Sequence, residues 1–126
     1  MQDRQATNLR HIDEVPMQKL WQGVGGRIVE GARMTLAVVE LAPSSTVPSH
    51  QHEHEQIGLC IRGRITFTVG DVTRTFGPGG TWVVPSMVPH IARTGPDGAT
   101  VLEAFSPVRA DWRTAPLDED TGSRWP

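Results

Sequence analysis

The chain has 126 residues, twelve lysines and arginines against fourteen aspartates and glutamates, a formal charge of −2 and one cysteine. That length suits one domain with one core, and charge of both signs scattered along it gives no basic stripe for a nucleic-acid backbone. Cys60 has no intrachain disulfide partner, residues 1–5 carry no apolar signal-peptide core, and no apolar run approaches the roughly 18 residues that span a bilayer. The expectation is a cytoplasmic protein with neither a membrane nor a nucleic acid as partner.

Residues 1–14 are polar and without periodicity, an arm or an edge strand. Residues 15–26 centre an apolar cluster on Leu20 and Trp21, then turn at Gly23, Gly25 and Gly26. A short strand is predicted over 27–30, a turn at Gly31-Ala32, and a longer strand over 34–41 that ends in residues 43–48.

The next stretch, 48–56, sets His50, His52, His54 and Gln56 at every second position. Side chains of a β-strand alternate faces with a period of two, so all four are expected on one side. Imidazole is a ligand for Zn, Cu, Fe and Ni, and a divalent ion draws three or more ligands from separate parts of a chain. A further histidine from a second strand is therefore expected. His90, after Pro89, is the candidate, since His11 lies in the polar N-terminal segment.

Strands follow at 57–61, 65–69, 72–76 and 81–84, with Gly63, Gly70-Asp71 and 77–80 as turns and Pro85 as a stop. Another strand begins near His90, and after a turn over 95–98 the last one runs over 100–105. The tail 114–126 is acidic and turn-rich, with Trp125 able to anchor it. Short strands between Gly/Pro turns, and no segment of helical period, argue an all-β sandwich or barrel.

Two runs carry a family resemblance. His50-x-His52-x3-Gln56-x6-Gly63 resembles the first motif of the cupins, and Gly80-x4-Pro85-x3-Pro89-His90 resembles the second. The resemblance covers roughly residues 27–108. It implies an antiparallel jelly-roll β-barrel, one cupin domain over 1–126 with its barrel core at about 27–108. It also implies one divalent transition metal ion per chain (Zn, Ni, Mn, Fe or Cu) held by His50, His52 and His90, with Gln56 where many members have glutamate. His54 has no counterpart among the usual ligands. Within the family, the run from His50 to Gln56 is similar to that of the KdgF group, which linearises unsaturated uronic-acid sugars from pectin or alginate. Glu103-x-Phe105-Ser106-Pro107-x-Arg109 looks like that group's Asp-x-Phe-Ser-Pro-x-x-Arg segment, with Glu for Asp and one residue fewer before the arginine. This implies catalytic roles for Glu103, Phe105 and Arg109. Leu59 and Arg62 depart from the aromatic and acidic residues which that group often has before the motif glycine.

Three neutral imidazoles and a neutral amide leave the full charge on a divalent ion, which favours Lewis-acid chemistry over oxygen activation. With no tyrosine and only Lys19, proton transfer falls to Glu103, whose strand parity places it with Val101 and Phe105. Facing inward, it would have a raised pKa. Arg109 either binds a substrate carboxylate or pairs at the surface with Asp111. Cys60 reads as a small apolar filler. The expected function is a metal-dependent, isomerase- or lyase-like enzyme acting on a small oxygenated substrate, a carboxylate sugar by resemblance. The alternatives are a non-catalytic cupin that binds a metal or small ligand, and a secondary-metabolism cyclase or dioxygenase. Leu20, Trp21, Trp112 and Trp125, flanking the barrel, are expected to support a homodimer.

Overall fold

Two long strands, bent in the middle, organise the molecule: β5 (Glu55–Val69) and β8 (His90–Ser106) pair antiparallel along most of their length. The other strands are β1 (Met17–Trp21), β2 (Val24–Glu30), β3 (Thr35–Leu41), β4 (Thr46–His50), β6 (Val72–Phe76) and β7 (Thr81–Val84). The structure is a computed structural model and describes residues 9–119 and 125–126.

On one side of the bends, β1, β2 and β3 run in order onto the C-terminal half of β8, followed by the N-terminal half of β5 and β7. On the other side, β4, the N-terminal half of β8, the C-terminal half of β5 and β6 form the second layer. The two layers close into an all-β antiparallel jelly-roll barrel. Its core holds Val24, Val39, Leu41, Ile65, Phe67 and Val101, all buried. Two 3-10 turns, Ile12–Glu14 and Ala110–Thr114, flank the barrel. No described helix is long and apolar enough to cross a membrane.

The segments predicted over 57–61 and 65–69 are one strand. Gly63, expected as a turn, has φ +84 and sits between two register shifts, where a Cβ would strike the carbonyl of Gly98. Gly98 mirrors it at φ +70, with its own Cβ position filled by the Leu41 carbonyl. Only glycine fits such a left-handed, closely approached backbone. The shifts also move the inward positions of β5 from Gln56, Gly58 and Cys60 to Ile65 and Phe67, so a strict period of two fails across the bend.

Two further strands were not expected. β1 and the start of β2 form a hairpin where glycine turns were predicted, because Gly25 and Gly26 make room for Met17 and Leu20 across the pair. β4 occupies part of 43–48, its Pro48 at the sheet edge. Of the N-terminal segment, residues 1–8 lie outside the described residues, as do 120–124 of the tail. The Trp125 N–H donates to Asp13 Oδ1 at 3.2 Å. The apolar surface expected of Leu20, Trp21 and Trp112 is turned inward: Trp112 is buried, and the other two pack against the core.

Candidate metal centre and pocket

His50 ends β4 and His90 begins β8, and the ladder pairs them directly. Their rings lie 4.2 Å apart. His52 is not on that strand. It sits in the loop after β4, held where the Met87 N–H donates to its carbonyl at 2.8 Å, with its ring 4.9 Å from that of His90. One potential ligand atom from each of the three lies within 4.8 Å of the others, so the group can hold a metal ion.

The ring nitrogens are sorted by their neighbours. Nδ1 of His50 lies 2.8 Å from the Pro48 carbonyl, that of His52 3.0 Å from the His54 carbonyl and that of His90 2.9 Å from the Val88 carbonyl. A carbonyl only accepts, so each Nδ1 carries the proton and each Nε2 keeps its lone pair. Nε2 of His90 is buried without a hydrogen-bond partner among the described residues, a costly state that a cation relieves. Gln56, on β5, brings Oε1 to 3.1 Å from His52 Nε2. Two lone-pair atoms at that distance are arranged as two ligands of one ion, and the donor set fits a divalent transition metal. Burial lowers the pKa of all three imidazoles, to about 4 for His90, with the Arg109 charge acting in the same direction. They are neutral, ligand-ready bases at pH 7.

His54 departs from the alternation because the chain turns between β4 and β5. Its Nε2–H donates to the Val108 carbonyl at 3.1 Å, which ties the histidine loop to the segment that carries Arg109.

Glu103 faces the barrel interior at 6% exposure. Trp82 Nε1–H donates to its Oε1 at 2.9 Å, and Gln56 forms a second side-chain hydrogen bond with it. Burial pushes its pKa up to about 8, so the carboxyl is protonated at neutral pH. Gly58 lies beneath this bond; a Cβ there would collide with both the indole and the carboxylate.

Arg109 makes the expected pair with Asp111, but in the cavity wall and not at the surface. It is paired with Asp111, Nε to Oδ1 at 3.1 Å and Nη2 to Oδ2 at 2.8 Å, yet only 4% exposed. Its guanidinium stacks 3.8 Å above the Trp112 ring and 4.8 Å from that of Phe105. The arginine holds the Asp111 carboxyl below the usual range. Phe105 also meets His52 edge-on, at 5.9 Å. His50, Gln56, His90, Glu103, Phe105 and Arg109 thus line one cavity that opens to solvent. The sequence reading missed Trp82, Trp112 and Trp21, whose ring is 5.0 Å from His50. The inward parity of β7 was the available signal for Trp82; Trp112 lies in an irregular segment with no period to read. Cys60 is buried in the core, as a filler should be.

The cupin-domain family model matches residues 37–105. The chain is 36% identical over 78 residues to the H2HPP isomerase of Bacillus subtilis, a match that covers 60% of this chain and about a third (33%) of that protein's length. The structure of KdgF from Halomonas sp. is 25% identical with a TM-score of 0.77, covering 84% of this chain and 98% of that one. An RmlC-like cupin from Shewanella frigidimarina superposes with a TM-score of 0.79 at 20% identity, covering 86% of this chain and 98% of the other, a likeness of fold. A family match over more than half of the chain, a jelly-roll barrel and a three-histidine cluster at its mouth agree: this chain belongs to the cupin family.

Proposed function

We propose that the protein is a metal-dependent enzyme of isomerase or lyase type acting on a small oxygenated substrate that carries a carboxylate. The observation that supports it most is the convergence of one ligand atom from each of three histidines, with Gln56 Oε1 at His52, beside a buried, protonated Glu103 and a stacked Arg109. His50, His52, His90 and Gln56 would hold one divalent ion, which supplies a Lewis acid for a substrate oxygen. Glu103 is placed to hold or release a proton at its carboxyl, with Trp82 fixing the orientation. Arg109, pre-set by Asp111 and Trp112, offers its remaining nitrogen to a carboxylate, and Phe105 walls the site beside His52.

An unsaturated uronate, the substrate attached to the KdgF resemblance, is the first compound to assay. The similarity to an H2HPP isomerase supports isomerisation of a different substrate. Loss of alkene absorbance from unsaturated uronates on addition of metal-loaded protein tests the first; no loss above the spontaneous rate removes that substrate and leaves the family assignment intact.

We also infer a homodimer formed through the outer sheet face. Leu36, Ala104, Ile57 and Val83 stand side by side across β3, β8, β5 and β7, and three of them are exposed. Such a row is apolar surface that a second copy would cover. A light-scattering mass of one chain at all concentrations would refute it. The single, buried Cys60 suits a reducing compartment such as the cytoplasm.

A further inference from the structure

The hydrogen-bonding capacity of the cavity wall limits what it can hold. Twelve of the seventeen described lining residues are apolar, among them Val39, Leu41, Ile65, Phe67 and Trp112. The described lining contains no lysine, serine, threonine, asparagine, aspartate or tyrosine. The five polar residues spend most of their capacity on protein partners. Glu103 is bonded to Trp82 and Gln56, Gln56 also faces His52, and Nε and Nη2 of Arg109 are taken by Asp111. Nδ1 of His50 and His90 is bonded to backbone carbonyls. What remains for a ligand is one guanidinium nitrogen, the proton of the Glu103 carboxyl and the metal position.

We infer that the site selects a largely apolar ring or chain bearing a carboxylate and one or two further oxygens, and rejects polyhydroxylated sugar acids. The inference rests on reading this cavity as the substrate site. A hydroxyl taken from water into the wall without a partner loses its hydrogen bonds, and each such loss weakens binding by about tenfold or more. A ring methylene in the same place instead gains from burial against Leu41, Phe67 and Trp112. Arg109 makes the carboxylate the anchoring group, because a buried guanidinium with a free nitrogen is best satisfied by an anion.

Cyclohexanecarboxylate and D-galacturonate share a six-membered ring and one carboxylate and differ in their hydroxyls and ring oxygen. Calorimetric titration of each into the zinc-loaded full chain, with zinc content measured on the same sample, tests the preference. The expected result is at least about tenfold tighter binding of cyclohexanecarboxylate. Arg109→Gln should weaken both ligands and leave the preference between them in place. Equal affinities, tighter binding of galacturonate, or no binding of either ligand would overturn the inference. Protein that holds zinc and turns over a uronate while showing the reversed preference would lose only the apolar substrate class and keep the Lewis-acid reading.

Discussion

Replacing Glu103 by glutamine separates the charge of that side chain from its shape. In the metal-free protein the carboxyl titrates near 8, against a reference value of 4.5 for an unburied glutamate. Between those values the folded chain keeps a proton that the unfolded chain has released. Stability from this group is therefore fully present below the lower value and is lost as pH rises through the upper one. At about 1.4 kcal/mol per pH unit, with the slope flattening near the folded pKa, the loss between pH 6 and 8 comes to about 2 kcal/mol. Glutamine keeps an oxygen to accept from Trp82 Nε1 and has no proton to lose. The lowered pKa values of His50, His52 and His90 act in the opposite sense, adding stability as pH rises toward 6.5, but they are common to both proteins and cancel in the difference. Urea denaturation of both metal-free proteins at the two pH values, read by tryptophan fluorescence, should show the variant gaining about 2 kcal/mol on the wild type from the lower pH to the higher. Parallel stability in the two proteins would refute the account of a buried, protonated Glu103.

Arg109→Gln should raise KM for a carboxylate substrate by about tenfold to a hundredfold with little change in kcat, since it removes an interaction made equally in the ground and transition states. Gly58→Ala should destabilise the protein by about 2 to 4 kcal/mol, because the added methyl overpacks the barrel and parts Trp82 from Glu103; equilibrium denaturation checks it. Gln56→Glu should retain the metal and yet slow turnover, because a carboxylate cancels one charge of the Lewis acid; steady-state rates and metal content measured together decide this.

Most of the strand segments from 27 onward, β4 excepted, were legible because β-branched residues and Gly/Pro punctuation mark them. What misled was local chemistry that serves a distant contact. Gly63 and Gly98 look like turn residues and instead let two strands bend against each other, and Gly25 and Gly26 look like breakers and instead make room within a hairpin. The alternation of His50, His52, His54 and Gln56 pointed to the right neighbourhood by a mistaken route. The four do not share a strand face; His50 ends one strand, Gln56 lies in another, and a loop delivers His52 while turning His54 toward Val108. Glu103 facing inward followed from strand parity, whereas its partner Trp82 and the stacking of Arg109 on Trp112 depend on how strands and tail come together. No period records that.

The central claim is that the three histidines converge on one metal position. Titration of the chelator-treated protein with cobalt(II), followed by visible absorption, addresses it directly, with His90→Ala as the comparison because that residue contributes the buried, unpartnered Nε2. The account predicts saturation at about one ion per chain in the wild type and a loss of about a hundredfold or more in affinity in the variant. An absence of saturable binding in the wild type, or an unchanged titration in His90→Ala, would contradict it.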